Sequence, residues 1–493
     1  MNDIDSLQKL VDYLMLVGRD TAQVEVKESV GKLSRSIMQT LSAFANGSGG
    51  IIILGLSEKD GFQPAKGFDA QRAADALSDM CSNKLTPALR PLIEIVPING
   101  GNVVVAEIDE IAPHDKPCYV TERGMYKGGF IRVADSDRRL TYYEIDRLLE
   151  ERTQPRHDFE LVREAGMLHL DQNLVGAFLS RQREIHPRVF GTLNDEDALR
   201  SLKVIAVDEN GNDHPTLAGL LALGSFPQEF YPRLTVYFTS YMGTEKVTDG
   251  RIKYLDALSA VGSVPQVMES VLHAIRKNMK SQGVLEGLYR NEVPEYPEGA
   301  LREALCNAVM HRDYSPIARG TQVFVDMYAD RIEFINPGGL YGGVTVDTLD
   351  EPGVSSTRNQ QLSRLLEMTP YPEGGYVAEN RGTGFRLIQE QLRVAGLPPA
   401  EVYDSITTFR LVFHNKNVNS MTGNEIPDGR SGSLDDVIGF IRDKGEASRV
   451  DLERAFGLTR STAQNRLSRL LETEEIERTS ARTSKHQSYR IKQ

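Results

Sequence analysis

Apolar positions along the chain switch between helical and strand-like spacing, and the switching marks out several folded units in series. Near the start, Leu7, Leu10, Val11 and Leu14 recur at three- and four-residue intervals, which predicts an amphipathic helix to about residue 17. Residues 23–29 then alternate as a short strand. Leu33, Ile37, Leu41 and Phe44 predict a helix over 33–45, and Ile51-Ile52-Ile53-Leu54 predicts a strand buried on both faces. Strands at 103–108 and 130–133 and a closing helix at 140–150 complete an α/β order over residues 1–150.

Residues 151–285 form a middle α/β region. Its one clear helical stripe, Val267, Met268, Val271, Leu272 and Ile275, has the spacing of core packing and no chemistry. In 286–414, a helix over 300–313 precedes two strands, 322–328 and 332–336, joined by Ala329-Asp330. A further helix opens at Gly384 and runs through Leu387, Ile388 and Leu392, and 409–413 is a terminal strand. Residues 415–433 are rich in Asn, Gly and Ser and read as a linker.

The last unit, 434–493, reads as helix, turn and helix, with 447–456 and 460–471 flanking Gly457-Leu458-Thr459. Gly457 suits a turn that needs φ > 0, and Thr459 is a good N-cap. Ala463, Leu467, Leu470 and Leu471 share the packing face of the second helix. Two short strands, 476–479 and 488–491, enclose a basic loop, so the whole resembles a winged helix. Thr459, Arg460, Ser461, Gln464, Asn465, Arg466 and Arg469 are then the candidate DNA-reading residues, with Arg482 and Lys485 on the wing.

Charge sharpens this picture. The chain carries a net charge of -12, yet eight bases against four acids give residues 456–493 a local +4. An acidic protein does not coat nucleic acid generally, so DNA contact must be confined to patches. The three cysteines, Cys81, Cys118 and Cys306, have neither disulfide-framework nor zinc spacing. An acidic start without a basic n-region, and no long apolar run, lead us to expect a cytoplasmic protein without a membrane partner.

Val24-Glu25-Val26-Lys27-Glu28-Ser29, the stretch Ala45-Asn46-Gly47-Ser48-Gly49-Gly50 with its following strand, Lys116-Pro117-Cys118-Tyr119 and 126–133 resemble the Schlafen AlbA-type domain in residue type and order. The resemblance implies a nucleic-acid-associated α/β domain, to which Lys127 and Arg132 would contribute DNA contacts. Some relatives of that family cleave RNA with three acids. The matching positions here are Asp20, Glu25 and either Glu58 or Asp60, a set that would hold a divalent cation.

Within 300–313, Glu303 and Asn307 lie four apart and so share one helix face, where a carboxylate can activate water and an amide can ligate Mg²⁺. With Asn336-Pro337-Gly338-Gly339 and Arg381-Gly382-Thr383-Gly384, this order resembles the GHKL ATPases, in the divergent branch seen in RecG-like helicase-related proteins. The resemblance implies an α/β sandwich that binds ATP and Mg²⁺. Glu303 would be the catalytic base, Asn307 the Mg²⁺ ligand, Gly338 and Gly339 the base-side turn, and Arg381, Gly382, Thr383 and Gly384 the phosphate cradle. Asn336 stands where the family has an Asp that recognises the adenine amino group; an amide accepts there without charge assistance.

The expected fold class is therefore multidomain, α/β and α+β. The expected function is a DNA-binding transcriptional regulator of double-stranded DNA, self-associating because one winged helix makes few phosphate contacts, with a nucleotide- or effector-binding module. The rival expectation is an ATP-dependent nucleic-acid remodelling, nuclease or defence enzyme. No Walker A sequence is present, which disfavours a P-loop motor.

Overall fold

The computed structural model describes residues 4–17, 21–246, 253–286, 289–346, 348–351, 353–378, 382–415, 434–449, 451–452, 467, 470–471, 475–479 and 488–492. It is a mixed α/β, multidomain protein.

In the N-terminal unit the run of isoleucines forms the inner strand Gly50–Leu54, with Ile52, Ile53 and Leu54 fully buried. It pairs in parallel with Val24–Lys27, which the helix Ile37–Asn46 connects to it, and antiparallel with Gly101–Ile108. Leu92–Ile98 completes the sheet through a two-residue turn in which Asn99 and Gly100 both have positive φ, as a type I′ hairpin requires. The helix Ile4–Val17 covers one sheet face with Leu7, Val11 and Leu14. Ile37–Asn46 and Ala70–Asn83 cover the other. The first of these two starts four residues later than the periodicity predicted, so Leu33 packs from outside it.

The expected boundary at 285 falls inside a single body. One six-stranded sheet runs in the order Asp256–Ala260, Val236–Ser240, Val323–Met327, Arg331–Pro337, Thr408–His414, Glu401–Asp404. Val236–Ser240 pairs in parallel with Val323–Met327, so the middle region supplies two strands to the sheet assigned to 286–414. One hydrophobic core reaches from Val162 to Phe413, and helices Val264–Asn278 and Glu298–His311 pack into it.

At the C-terminus the helix Leu434–Lys444 precedes a three-stranded antiparallel sheet of Ala447–Ser448, Ser488–Ile491 and Ile476–Arg478. Ala447 and Ser448, expected at the head of a helix, are therefore strand residues. Leu467 and Leu470 are buried with Val437, Ile441 and Tyr489, on the packing face their spacing assigned them.

Candidate functional site

The helix Glu298–His311 is buried along most of its length, and Glu303 and Asn307 are half-buried where it meets the helix Gly384–Val394. Asn307 Nδ2 donates to Glu303 Oε1 at 3.2 Å. The neighbouring Arg302 turns the other way, donating to the carbonyls of Tyr376 and Val377. Gly384 opens the second helix against the Glu303 carboxylate: an ideal Cβ there would lie 2.0 Å from Glu303 Oε1 and 3.2 Å from Asn307 Nδ2. Thr383, the N-cap, makes no side-chain cap bond, and Gly382 has φ +63°. Open N–H groups at a helix start favour an anion.

The opposite wall is the turn after Arg331–Pro337. Asn336 is 5% exposed in that strand, beside Phe409 of Thr408–His414. Gly338 has φ +90°, and a Cβ at Gly339 would lie 2.0 Å from the Ser405 carbonyl oxygen, so only glycine fits this turn. Leu340 N donates to Asp404 Oδ1 at 2.8 Å and holds the turn in place. Between the two walls lies a cleft of about 1300 Å³, mouth included, lined by Glu303, Asn307, Gly339, Ser355 and Gly384 with Phe334, Leu387 and Leu411 as apolar wall. His311 also lines it. Burial and the nearby Arg358 guanidinium push that imidazole down to about 4, so it is neutral at physiological pH.

The donor set is of a kind that suits a nucleotide: backbone N–H groups at a helix start, an amide, a carboxylate, and an apolar wall. The structure thus gathers Glu303, Asn307, Asn336, Gly339, Gly382, Thr383 and Gly384 around one cleft, while Gly338 precedes Gly339 in the turn and does not line it. Arg381 lies outside the described residues.

In the N-terminal unit the resemblance stretches converge on a tie. Asn46 Nδ2 donates to the carbonyls of Cys118 (2.8 Å) and Phe130 (2.9 Å), and its Oδ1 accepts from Cys118 N at 2.6 Å. Ser42 Oγ donates to Cys118 O and accepts from Phe130 N. Asn46 is thus structural, joining the helix Ile37–Asn46 to both later motifs.

Two expected roles change here. Arg132 is no outward DNA contact: its side chain is 7% exposed and lies between Glu25 (2.8 Å) and Asp137 (2.9 Å). Glu25, which also pairs with Lys27 at 2.6 Å, is correspondingly taken up by two cations, while Glu58 is exposed. Among the described residues no group of three His, Cys, Asp or Glu is placed to hold a metal ion. Asp60 accepts from Ser57 Oγ, and Asp20 lies outside the described residues. Lys127 is exposed on the short helix Met125–Gly128. Thr459, Arg460, Ser461, Gln464, Asn465, Arg466, Arg469, Arg482 and Lys485 all lie outside the described residues.

Sequence reasoning missed a charged junction between the N-terminal unit and the cleft. Arg147, on the helix Tyr142–Glu150, pairs with Glu150, with Glu151 at 2.7 Å and with Asp313 at 3.2 Å. Arg358 Nη2 donates to Glu151 Oε1 (2.6 Å) and to the Gly339 carbonyl (3.2 Å), and its Nη1 to the His311 carbonyl (3.3 Å). Both arginines are 1% exposed. Arg147 falls within the helix expected over 140–150 and Arg358 in no periodic stretch, and no local signal marks either as buried.

Residues 320–413 match the family model described as "Putative ATP-dependent DNA helicase recG C-terminal", residues 20–141 match "Schlafen, AlbA_2", and residues 146–236 match a domain of unknown function, DUF8451. The first match begins after Glu303 and Asn307 and includes Gly382–Gly384. Among solved structures, the DIP2311 protein of Corynebacterium diphtheriae is similar at 16% identity, with 99% of this chain and 97% of that one covered and a TM-score of 0.38. The "N-terminal Domain of Putative ATP-dependent DNA Helicase RecG-related Protein" from Nitrosomonas europaea is similar at 28% identity, over 27% of this chain and 92% of that one, with a TM-score of 0.22. No curated protein matches.

Proposed function

We propose that this chain is a nucleic-acid-binding regulator that takes a nucleotide as its effector. Its Schlafen AlbA_2-like unit and its C-terminal unit contact double-stranded DNA, the latter as a winged helix, and the chain self-associates to multiply phosphate contacts. The cleft between Glu298–His311 and Gly384–Val394 binds ATP with Mg²⁺. The observation that carries this reading is the meeting of Glu303 and Asn307 with the uncapped helix start at Gly384.

Within the cleft, bound ATP supplies a phosphoanhydride whose charge Mg²⁺ neutralises. Gly382, Thr383 and Gly384 would present backbone N–H groups to phosphate, Asn307 would supply an amide oxygen to Mg²⁺, and Glu303 would take a proton from water. The apolar wall of Phe334, Leu387 and Leu411 excludes water from the base.

Calorimetry with ATP and Mg²⁺, paired with a footprint on DNA beside the protein's own gene, tests this. Micromolar nucleotide binding and a protected DNA segment are expected. An absence of nucleotide binding removes the effector role, and an absence of DNA binding removes the regulator. DNA-stimulated turnover abolished by Glu303→Ala would replace the regulator with an ATP-dependent enzyme.

A further inference from the structure

The wall of the cleft and the junction with the N-terminal unit are the same short piece of chain. Ser355 lies against Gly382, whose added Cβ would sit 3.3 Å from the Ser355 Cβ, and it lines the cleft. Three residues later Arg358 holds Glu151, and between its guanidinium and that carboxylate no water layer intervenes at 2.6 Å. The same guanidinium binds the carbonyl of Gly339, on the other wall, and that of His311, the last residue of the helix bearing Glu303 and Asn307. Asn359 continues the contact, its Nδ2 donating to the carbonyls of Met310 (2.9 Å) and Arg312 (2.8 Å). A cation and an amide, together with the Tyr314 hydroxyl on the Val309 carbonyl, thus satisfy the C-terminal end of that helix.

The N-terminal side is held equally firmly. Glu151 follows the helix Tyr142–Glu150, which a capping box at Thr141 and Glu144 anchors at its other end. Gln154 reaches the same segment, donating to the Arg358 carbonyl at 2.9 Å and accepting from the Tyr341 hydroxyl at 3.2 Å. Tyr341 lines the cleft and lies under the Arg358 guanidinium at 5.4 Å. Three parts of the cleft's lining, Gly339, His311 and Tyr341, therefore meet at one buried arginine that also holds Glu151.

We propose that Arg358 couples the two units: nucleotide in the cleft fixes Gly339, Tyr341 and Ser355, and through the Arg358–Glu151 pair tightens the seat of the helix Tyr142–Glu150, so that nucleotide and nucleic acid change each other's affinity. The inference rests on the nucleotide reading of the cleft. Arg358 acts as a positioning residue, because it reaches ligand only through Gly339 and the chain beside Ser355. Linkage makes the effect reciprocal, and couplings of this kind span roughly 5–150-fold.

The test is amide hydrogen exchange of residues 142–151 in the full chain, with and without a non-hydrolysable ATP analogue and Mg²⁺, alongside calorimetry of the same samples. Exchange should slow by about fivefold or more on binding. In Glu151→Gln, which keeps an acceptor but loses the ion pair, the analogue should bind while the slowing disappears. Gln154→Ala, at an exposed position, should reduce it without threatening the fold. Binding without any change in exchange overturns the coupling alone. No binding overturns the nucleotide reading and the coupling with it. A full response in both variants overturns the role given to this junction.

Discussion

Gly384 and Glu303 share one volume: the space that a side chain at 384 would enter is filled by the Glu303 carboxylate, 2.0 Å from an ideal Cβ. Two features of the cleft, the helix start at Gly384 and the Glu303 carboxylate, therefore depend on a missing methyl group. Gly384→Ala should displace Glu303 and weaken nucleotide binding at least tenfold, about 1.4 kcal/mol, while overpacking costs the fold roughly 1–3 kcal/mol. Calorimetry and a thermal melt read the two effects separately.

Glu303→Gln and Asn307→Ala should separate along the chemistry. The first removes a negative charge beside the phosphate site and keeps an acceptor for Asn307, so analogue binding without Mg²⁺ should strengthen by a few-fold and any turnover should vanish. The second should abolish the Mg²⁺ dependence of binding. Titrations with and without Mg²⁺ check both.

Lys127 and Arg132, five positions apart, should behave oppositely. Lys127→Ala, at an exposed site, should leave stability unchanged and flatten the salt slope of nucleic-acid binding by about 0.9, the value of one phosphate contact. Arg132→Ala leaves Asp137 without its cation and Glu25 with Lys27 alone, and should cost about 3–5 kcal/mol in urea unfolding.

Asn46→Ala removes four buried hydrogen bonds and leaves the Cys118 N–H and the Phe130 carbonyl without this partner. A loss of about 2–4 kcal/mol from the N-terminal unit is expected, with nucleotide binding at the distant cleft unaffected. Denaturant unfolding of the full chain, followed by exchange in residues 50–54, measures it.

His157 gives the junction a pH limit. Hydrogen bonds to Glu150 and then Glu160, opposed by partial burial, raise its imidazole from 6.5 to about 9. A pKa higher in the folded state than in the unfolded one stabilises the protein fully below about pH 6.5, and the contribution fades as pH rises through 9. Thermal melts should therefore fall between pH 7 and 10 by more in the wild type than in His157→Gln, which lacks the titrating ring.

How much of this was legible in the sequence depends on the range of the interaction that made it. Ile51–Leu54, the helix carrying Glu303 and Asn307, and the glycine at the head of the next helix were legible because periodicity and φ requirements act over a few residues. The strand Leu92–Ile98 was not: Pro97 and exposed Leu92 and Ile95 break the alternation of an edge strand. The membership of Val236–Ser240 in the distant sheet was also hidden, since a parallel pairing across some eighty residues leaves no local trace. Arg132 read as a surface base because its partner Glu25 is over a hundred residues away, and a sequence shows a charge without showing its counter-ion.

The interleaved sheet also sets an order of assembly during synthesis. The N-terminal sheet is complete once Gly101–Ile108 has emerged, so that unit can fold early. The larger sheet must hold Val236–Ser240 in waiting until Val323–Met327 is made, and the cleft closes only when Thr408–His414 takes its place beside Arg331–Pro337. A ribosome halted anywhere between about residues 260 and 400 would carry a finished N-terminal unit and an unfinished cleft, with its apolar strands exposed to whatever chaperones meet them first.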